Sequence, residues 1–544
     1  MTRIISSIVA LFFLQTTLNG QDYKYGYLIE FTDKNNTEYS VDNPEVFLSQ
    51  RAIQRRAKNS ISVNEQDFPV NKNYTDSLLF FDAKLHVTSR WFNSAVFLTN
   101  SNAFVANAEN CSFVSRVSLV YENPVITKKK STVSKWNTFS DTAFYGDSYN
   151  QLKMCNAQLL HERNFLGNNI QIAVLDAGFW RVDELSCFKE LWDSNRILGT
   201  WDFVEGNESV FEDHSHGMAV LSTMGGNLPG ELMGSAPNAS YYLYRTENAI
   251  SEYPIEEENW IAGAEKADSA GADIITASLG YSIYDNQEMS HTYSDMDGKS
   301  TRITQGAEIA FTKGIFLINS AGNEGNNDWN FITAPSDGEN VLCVGAVDKN
   351  SIIASFSSRG PSADNRIKPD LMAQGLATTL ISSNGNVSTG NGTSFSCPLL
   401  AGMVACLWQA LPHYSNKDLL TLVRKVGNKY LNPDNDYGYG IPNFANVLTY
   451  FGNNDTVVDG SNHEIYPNPF SNNFSVQIFL NKEQNVTMRL FNLQGKEIYF
   501  KKFFVEANVS NIININDLPK LENGCYFLKI EDNSHMFIQK IVKQ

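Results

Sequence analysis

Ile170-Gln171-Ile172-Ala173-Val174-Leu175, running straight into Asp176-Ala177-Gly178, decides the fold of this 544-residue chain. Six residues with one polar interruption read as a strand buried on both faces, the habit of a parallel sheet. Three later runs share the pattern: Ile274-Ile275-Thr276-Ala277-Ser278-Leu279, Ile315-Phe316-Leu317-Ile318-Asn319 and Val341-Leu342-Cys343-Val344-Gly345-Ala346. Helical stretches separate several of them, such as Trp260 to Ala270 and Gln305 to Lys313. Strand and helix in alternation predict an α/β domain over residues 145–452, a parallel sheet with helices on both faces and right-handed crossovers. Its site belongs at the carboxyl ends of the strands.

Outward from that domain the pattern changes on both sides. Residues 1–20 carry Arg3, an apolar stretch from Ile4 to Leu14, then small and polar residues through Gly20. That is the layout of a secretory signal, too short for a membrane span, and no later run is long and apolar enough to cross a bilayer. Residues 21–135 mix strand-like stretches (Tyr27 to Phe31, Ala95 to Leu98) with a helix from Pro44 to Lys58, which suggests a small α+β module. Arg51, Arg55, Arg56 and Lys58 read as the solvated end of that helix. The run Lys128-Lys129-Lys130 in the following linker is open to two readings, a processing site or a solvated connector. Past a polar linker, residues 463–544 alternate as short strands between Asn, Gly and Pro turns: Phe474 to Leu480, Val486 to Leu493, Gly524 to Ile530 and Met536 to Val542. These predict a small all-β sandwich.

A formal charge of −17 disfavours a nucleic-acid partner, which needs a basic face. The seven cysteines are odd in number and scattered, with no Cys-x-x-Cys pair, so neither a disulfide framework nor a zinc site is expected. Cys397 and Cys406 sit in apolar sequence and read as small core residues.

Three segments in the central domain bear chemistry. Asp176 closes a strand ahead of Ala177-Gly178, where it either points into a crevice or caps a turn. His214-Ser215-His216-Gly217 opens an apolar helical run, and Gly217 leaves room for close backbone approach. Asn391-Gly392-Thr393-Ser394-Phe395-Ser396-Cys397-Pro398 leads into the helical stretch Leu399 to Leu411. Ser394 there is either a helix cap or a nucleophile, since a helix start also offers free N–H groups and a positive dipole end to a developing oxyanion. Pro398 is read as lying within the first turn, whose N–H groups have no helical partner.

The order Asp, His, Ser with these flanks resembles the subtilisin family of serine peptidases. Gly392-Thr393-Ser394 with Pro398 is similar to the family's nucleophile motif, His216-Gly217 with Val220 to its histidine motif, and Asp176-x-Gly178 to its aspartate motif. Ser320-Ala321-Gly322-Asn323-Glu324-Gly325 resembles the segment whose Asn donates to the oxyanion, and Ala277-Ser278-Leu279-Gly280 the strand that pairs with substrate. The resemblance implies a secreted serine endopeptidase acting through an acyl-enzyme. In it Ser394 is the nucleophile, His216 the base, Asp176 its orienting carboxylate and Asn323 an oxyanion donor. Ser278, Leu279 and Gly280 line up a polypeptide substrate. No cofactor is required, and calcium is expected at most as a structural ion; the carboxylates of Asp295-Met296-Asp297-Gly298 read either as ligands for it or as a plain polar loop, the second favoured because the full spacing of a calcium-binding loop is missing. Ser396 and His214 are the rival hydroxyl and imidazole. Ala177, Met218 and Phe395-Ser396-Cys397 depart from the usual residues at wall and packing positions, which bears on specificity.

The resemblance further makes residues 21–135 an inhibitory, folding-assisting propeptide. Tyr466-Pro467-Asn468-Pro469-Phe470 and Gly524 to Ile530 resemble the C-terminal sorting domain of the type IX secretion system of Bacteroidota. The chain would then meet that machinery, passing through the periplasm to be released or held at the outer surface. The competing class is a catalytically silent surface binding protein on the same fold. A lipase is opposed by the order of the three residues.

Overall fold

The computed structural model describes residues 23–123, 145–450, 462–479, 483–506, 510–531 and 536–544. The proposed signal and the Lys128-Lys129-Lys130 run lie outside the described residues. Two compact units result, dividing after Asn443.

The first unit opens with an antiparallel sheet in the order β2-β3-β1-β4: β1 (Tyr25–Phe31), β2 (Ala83–Ser89), β3 (Ser94–Thr99) and β4 (Val114–Glu122). Helices α1 (Gln50–Lys58), α2 (Lys72–Leu79) and α3 (Phe104–Glu109) complete an α+β module. Ile29, Phe31, Leu78, Phe97 and Phe104 form its core. The predicted helix from Pro44 is two elements. Pro44–Val46 is a single 3₁₀ turn, and α1 starts afresh behind Ser49, whose hydroxyl accepts from the Ala52 N–H at 3.1 Å.

The rest of the unit is built on seven parallel strands in the order β11-β10-β9-β8-β5-β7-β6: β5 (Gln171–Asp176), β6 (Ile197–Asp202), β7 (Ser240–Arg245), β8 (Ile274–Ala277), β9 (Phe316–Ser320), β10 (Val341–Val347) and β11 (Leu371–Gln374). β8, β9 and β10 are buried along their whole length, as their apolar runs require. The sheet is grown outward in both directions from β5, so the strand order switches beside it. That is where an open α/β sheet leaves a crevice. Helices α4 (His216–Gly225), α5 (Ile255–Ala270), α6 (Arg302–Thr312) and α7 (Thr393–Ala410) flank the sheet. Contrary to the sequence expectation, α7 is long and apolar enough to cross a membrane by length and composition; it is 94% buried inside the fold.

The module and the sheet domain meet over α5 and α6, and the arginines read as solvated are the contact. Arg55 and Arg56 are 6% and 1% exposed. Asp268 of α5 accepts from Arg55, from Arg56 at 2.7 Å and from Arg90 at 2.5 Å. Glu265, one turn earlier, accepts from the Ser89 hydroxyl and from the Arg90 and Trp91 N–H groups at 2.6, 2.9 and 3.0 Å. The basic end of α1 looks like a solvated face because Asp268 and Asp273, which pair with Arg51, Arg55 and Arg56, lie more than 200 residues away in sequence, although Arg56 also meets the nearer Asp67 at 3.1 Å.

In the second unit, β12 (Asn462–Tyr466), β13 (Phe474–Phe479) and β16 (Ser510–Ile515) form one antiparallel sheet in the order β12-β13-β16. β14 (Gln484–Phe491), β15 (Glu497–Val505), β17 (Gly524–Glu531) and β18 (Met536–Lys543) form another in the order β15-β14-β17-β18. Phe474, Val476, Met488, Leu490 and Leu528 belong to one shared core, which makes the pair a sandwich.

Candidate active site

Asp176 is the last residue of β5 and fully buried. His216 is the first residue of α4, and its Nδ1 stands 2.7 Å from Asp176 Oδ1. The Ala177 N–H also donates to Oδ1, at 2.8 Å, while Oδ2 is buried without a partner. Gly217 is what allows α4 so close. A Cβ there would meet the Gly178 carbonyl at 2.5 Å and Asp176 Cβ at 2.9 Å. Burial pulls the His216 imidazole down. The charge of Asp176 and its hydrogen bond outweigh burial, and Glu247 adds to them, so the group titrates above its usual 6.5. His214, the rival, has its Nδ1 accepting from the His216 N–H at 3.3 Å and is held below 6.5 by burial and by the neighbouring imidazole.

Ser394 is the second residue of α7, 8% exposed, and its N–H is among those a helix start leaves without an intrahelical acceptor. Gly392 ahead of it has φ +149°, a conformation that suits glycine. Its hydroxyl is turned onto the Ser278 carbonyl at 3.5 Å, not onto His216. Ser396 is wholly buried and donates to the Thr393 carbonyl at 3.0 Å, spent inside the helix.

Pro398 corrects the sequence reading. It is the sixth helical residue, past the first turn. A proline there cannot donate to the carbonyl four residues back, which is that of Ser394. The Ser278 hydroxyl donates to that carbonyl instead, at 2.9 Å. Ser278 thus steadies the backbone of Ser394 with its side chain, a role its strand position did not suggest. A proline four residues beyond a candidate nucleophile was the available signal.

Asn323 lies across the crevice, exposed. Its Oδ1 accepts from the Thr393 N–H at 2.9 Å and the Thr393 hydroxyl at 3.1 Å. A backbone N–H can only donate, so the oxygen faces Thr393 and the amide N–H₂ is turned away from it. Leu279 is buried, and its carbonyl accepts from Asn319 Nδ2 at 2.8 Å. β8 pairing ends at Ala277, so Ser278-Leu279-Gly280 extends beyond the ladder. A Cβ on Gly280 would meet the Thr333 hydroxyl at 2.1 Å.

The calcium loop is otherwise engaged. Asp295 accepts from the Thr292 N–H and hydroxyl, and Asp297 from the Lys299 and Ser300 N–H groups, while Met296 is fully buried between them. Among the described residues no group of three His, Cys, Asp or Glu side chains is placed to hold a metal ion. All seven cysteines are free thiols, and burial pushes Cys155, Cys187, Cys343 and Cys397 up to about 12.

Residues 167–440 match the model of the subtilase family. Residues 26–137 match a peptidase S8 propeptide domain of Bacteroidota, and residues 464–544 a secretion system C-terminal sorting domain. Among similar curated proteins, the serine protease AprX of Bacillus subtilis is 28% identical over 312 residues, 52% of this chain and 66% of that protein. The thermostable alkaline protease of Halalkalibacterium halodurans is 27% identical over 305 residues, 56% of this chain and 73% of the other. Subtilisin BL of Lederbergia lenta is 26% identical over 288 residues, 53% and 93% of the two chains.

Proposed function

The chain belongs to the subtilase family, and from that premise we propose that it is a secreted serine endopeptidase with Ser394 as nucleophile. The observation that carries this is the 2.7 Å pairing of half-buried His216 with fully buried Asp176 at the crevice where α7 presents Ser394. In the proposed reaction the Ser394 hydroxyl swings from Ser278 to His216 and its oxygen bonds to the scissile carbonyl carbon. His216 Nε2 takes the proton. Asp176 fixes the tautomer and stabilises the imidazolium. The carbonyl oxygen gains its charge between the Asn323 amide and the Ser394 N–H, donors fixed before the substrate arrives. His216 then protonates the amine as the C–N bond breaks, and water releases the acyl group by the same steps in reverse. Substrate adds as an extra strand beside Ser278-Leu279-Gly280. Acyl transfer by these groups needs no cofactor.

The module ahead of β5 acts as the propeptide, docked on α5 and α6. The sandwich carries the chain to the type IX secretion machinery, and the peptidase is released or held outside the cell. The silent-scaffold reading finds its one support in the Ser394 hydroxyl facing Ser278. A fluorophosphonate separates the two, since only an activated serine reacts readily. The secreted protein is expected to be labelled at Ser394 and its Ser394→Ala variant not at all. An unlabelled wild-type protein that hydrolyses no peptide would end the peptidase reading.

A further inference from the structure

A second charged surface opens on the same crevice. After β7 the chain runs from Thr246 through Glu247 and Glu252 to Tyr253 before α5 begins. The Thr246 N–H donates to the Asp176 carbonyl at 3.0 Å, so Glu247 stands one residue beyond a backbone bond to the β5 aspartate and two beyond Arg245, its partner in the sheet. Buried Glu256 holds the loop, accepting from the Asn248 N–H at 2.7 Å and the Tyr253 N–H at 3.2 Å. Glu247 and Glu252 are half-buried, and among the described residues neither carboxylate has a hydrogen-bond or ion-pair partner. Burial and the Asp176 charge push Glu247 up to about 7; burial and the Glu247 charge push Glu252 up to about 8. Tyr281, the residue after Gly280, is wholly buried, its hydroxyl has no partner, and it lies within the field of all three glutamates. The Thr246 hydroxyl is also buried and unpartnered.

Two half-buried carboxylates thus share one field with no cation beside them, and the buried hydroxyls could offer them at most one neutral O–H each, a state that protein interiors normally avoid. The missing partner is a cation with several N–H donors. Among the described residues no metal-holding group of acids is formed, and the patch adjoins the Ser278-Leu279-Gly280 segment. An ammonium or guanidinium on a bound peptide meets every requirement. We infer that Glu247 and Glu252 form a subsite for a Lys or Arg side chain of the substrate, within a few residues of the scissile bond. The inference rests on the peptidase reading above.

The test uses the purified secreted protein and peptide pairs that differ only by Lys or Arg against Gln, placed at each position flanking the cut. The basic peptide of at least one pair is expected to have about tenfold higher kcat/KM, carried by KM, as one buried charge pair predicts. The basic-to-Gln ratio should fall toward one in Glu247→Gln and fall partway in Glu252→Gln. Equal kcat/KM within every pair, or a ratio that both variants leave intact, overturns the subsite while leaving a working peptidase. Absence of both hydrolysis and Ser394 labelling overturns the peptidase reading and this inference with it.

Discussion

Asp268 on α5 and Asp176 at the end of β5 are equally buried and are used in opposite ways. Asp268 meets three guanidinium groups, from Arg55, Arg56 and Arg90. Asp176 meets one imidazole and one N–H, both on Oδ1, and its other oxygen is left alone. A saturated carboxylate is a clamp: its charge is neutralised and its neighbours are locked. One left short of partners holds unspent negative potential, which stabilises positive charge that appears later. The imidazolium formed at His216 during proposed catalysis is that charge.

The sharpest break of the reactive end is Ser394→Ala. Turnover should fall on the order of 10⁶-fold, the size already measured on removing the serine of a subtilisin, while circular dichroism stays unchanged. Residual activity within tenfold of the parent would place the nucleophile elsewhere.

At the clamp end, Asp268→Ala leaves three guanidinium groups buried with their shared acceptor gone. The cost should reach about 3–5 kcal/mol, against a much smaller loss for an exposed pair such as Lys72–Asp76. Made in a Ser394→Ala chain, which keeps the module attached, it should lower the melting temperature of the first unit by several degrees. An unchanged melt would show that the arginines contribute packing and no electrostatic clamp.

Asn323→Ala sharpens the comparison from the oxyanion side. It removes one donor and should cost about 10²–10³ in kcat with KM little changed, again a magnitude known from a subtilisin. The parallel variant Thr393→Val removes one of the two bonds that orient the Asn323 amide, and a milder fall in kcat is expected. If Thr393→Val costs as much as Asn323→Ala, orientation of the amide carries the effect.

The two ends also differ in how legible they were. The reactive end is written locally: Asp176 closes an apolar strand, Gly217 follows His216, and Gly392-Thr393 precede Ser394, so each motif reports its own backbone geometry. Four buried apolar runs announced the parallel sheet for the same reason. The clamp is written nowhere locally. Arg55 meets Asp268 across 213 residues, and neither neighbourhood differs from a solvated helix face. The Glu247 patch was missed likewise, because a glutamate after a strand acquires meaning only when Asp176, Tyr281 and Glu252 are folded around it. Pro398 was misplaced by counting: the helix starts at Thr393, several residues before the apolar run that advertises it.

The smallest expected effect lies between the two ends. His86 of β2 reaches α5, its Nε2 2.9 Å from Asn259 Oδ1, and burial, with Lys84 adding to it, lowers its pKa to about 4 despite that bond. Freed from the interface the imidazole would titrate near its ordinary 6.5. The undocked state then binds the extra proton, so docking weakens as pH falls from about 6.5 toward 4 and loses nothing further below that. Because the ring is partly exposed, the effect should be roughly 1–2 kcal/mol. His86→Gln keeps a donor for Asn259 and cannot take up the proton. In the Ser394→Ala background the parent should lose more melting temperature between pH 7 and pH 4 than the Gln variant does. Other groups titrating over that range act on both chains alike, so the difference isolates His86. Parallel curves would show that the docked module is indifferent to this histidine's charge, and would leave the Asp268 network as what holds the module in place.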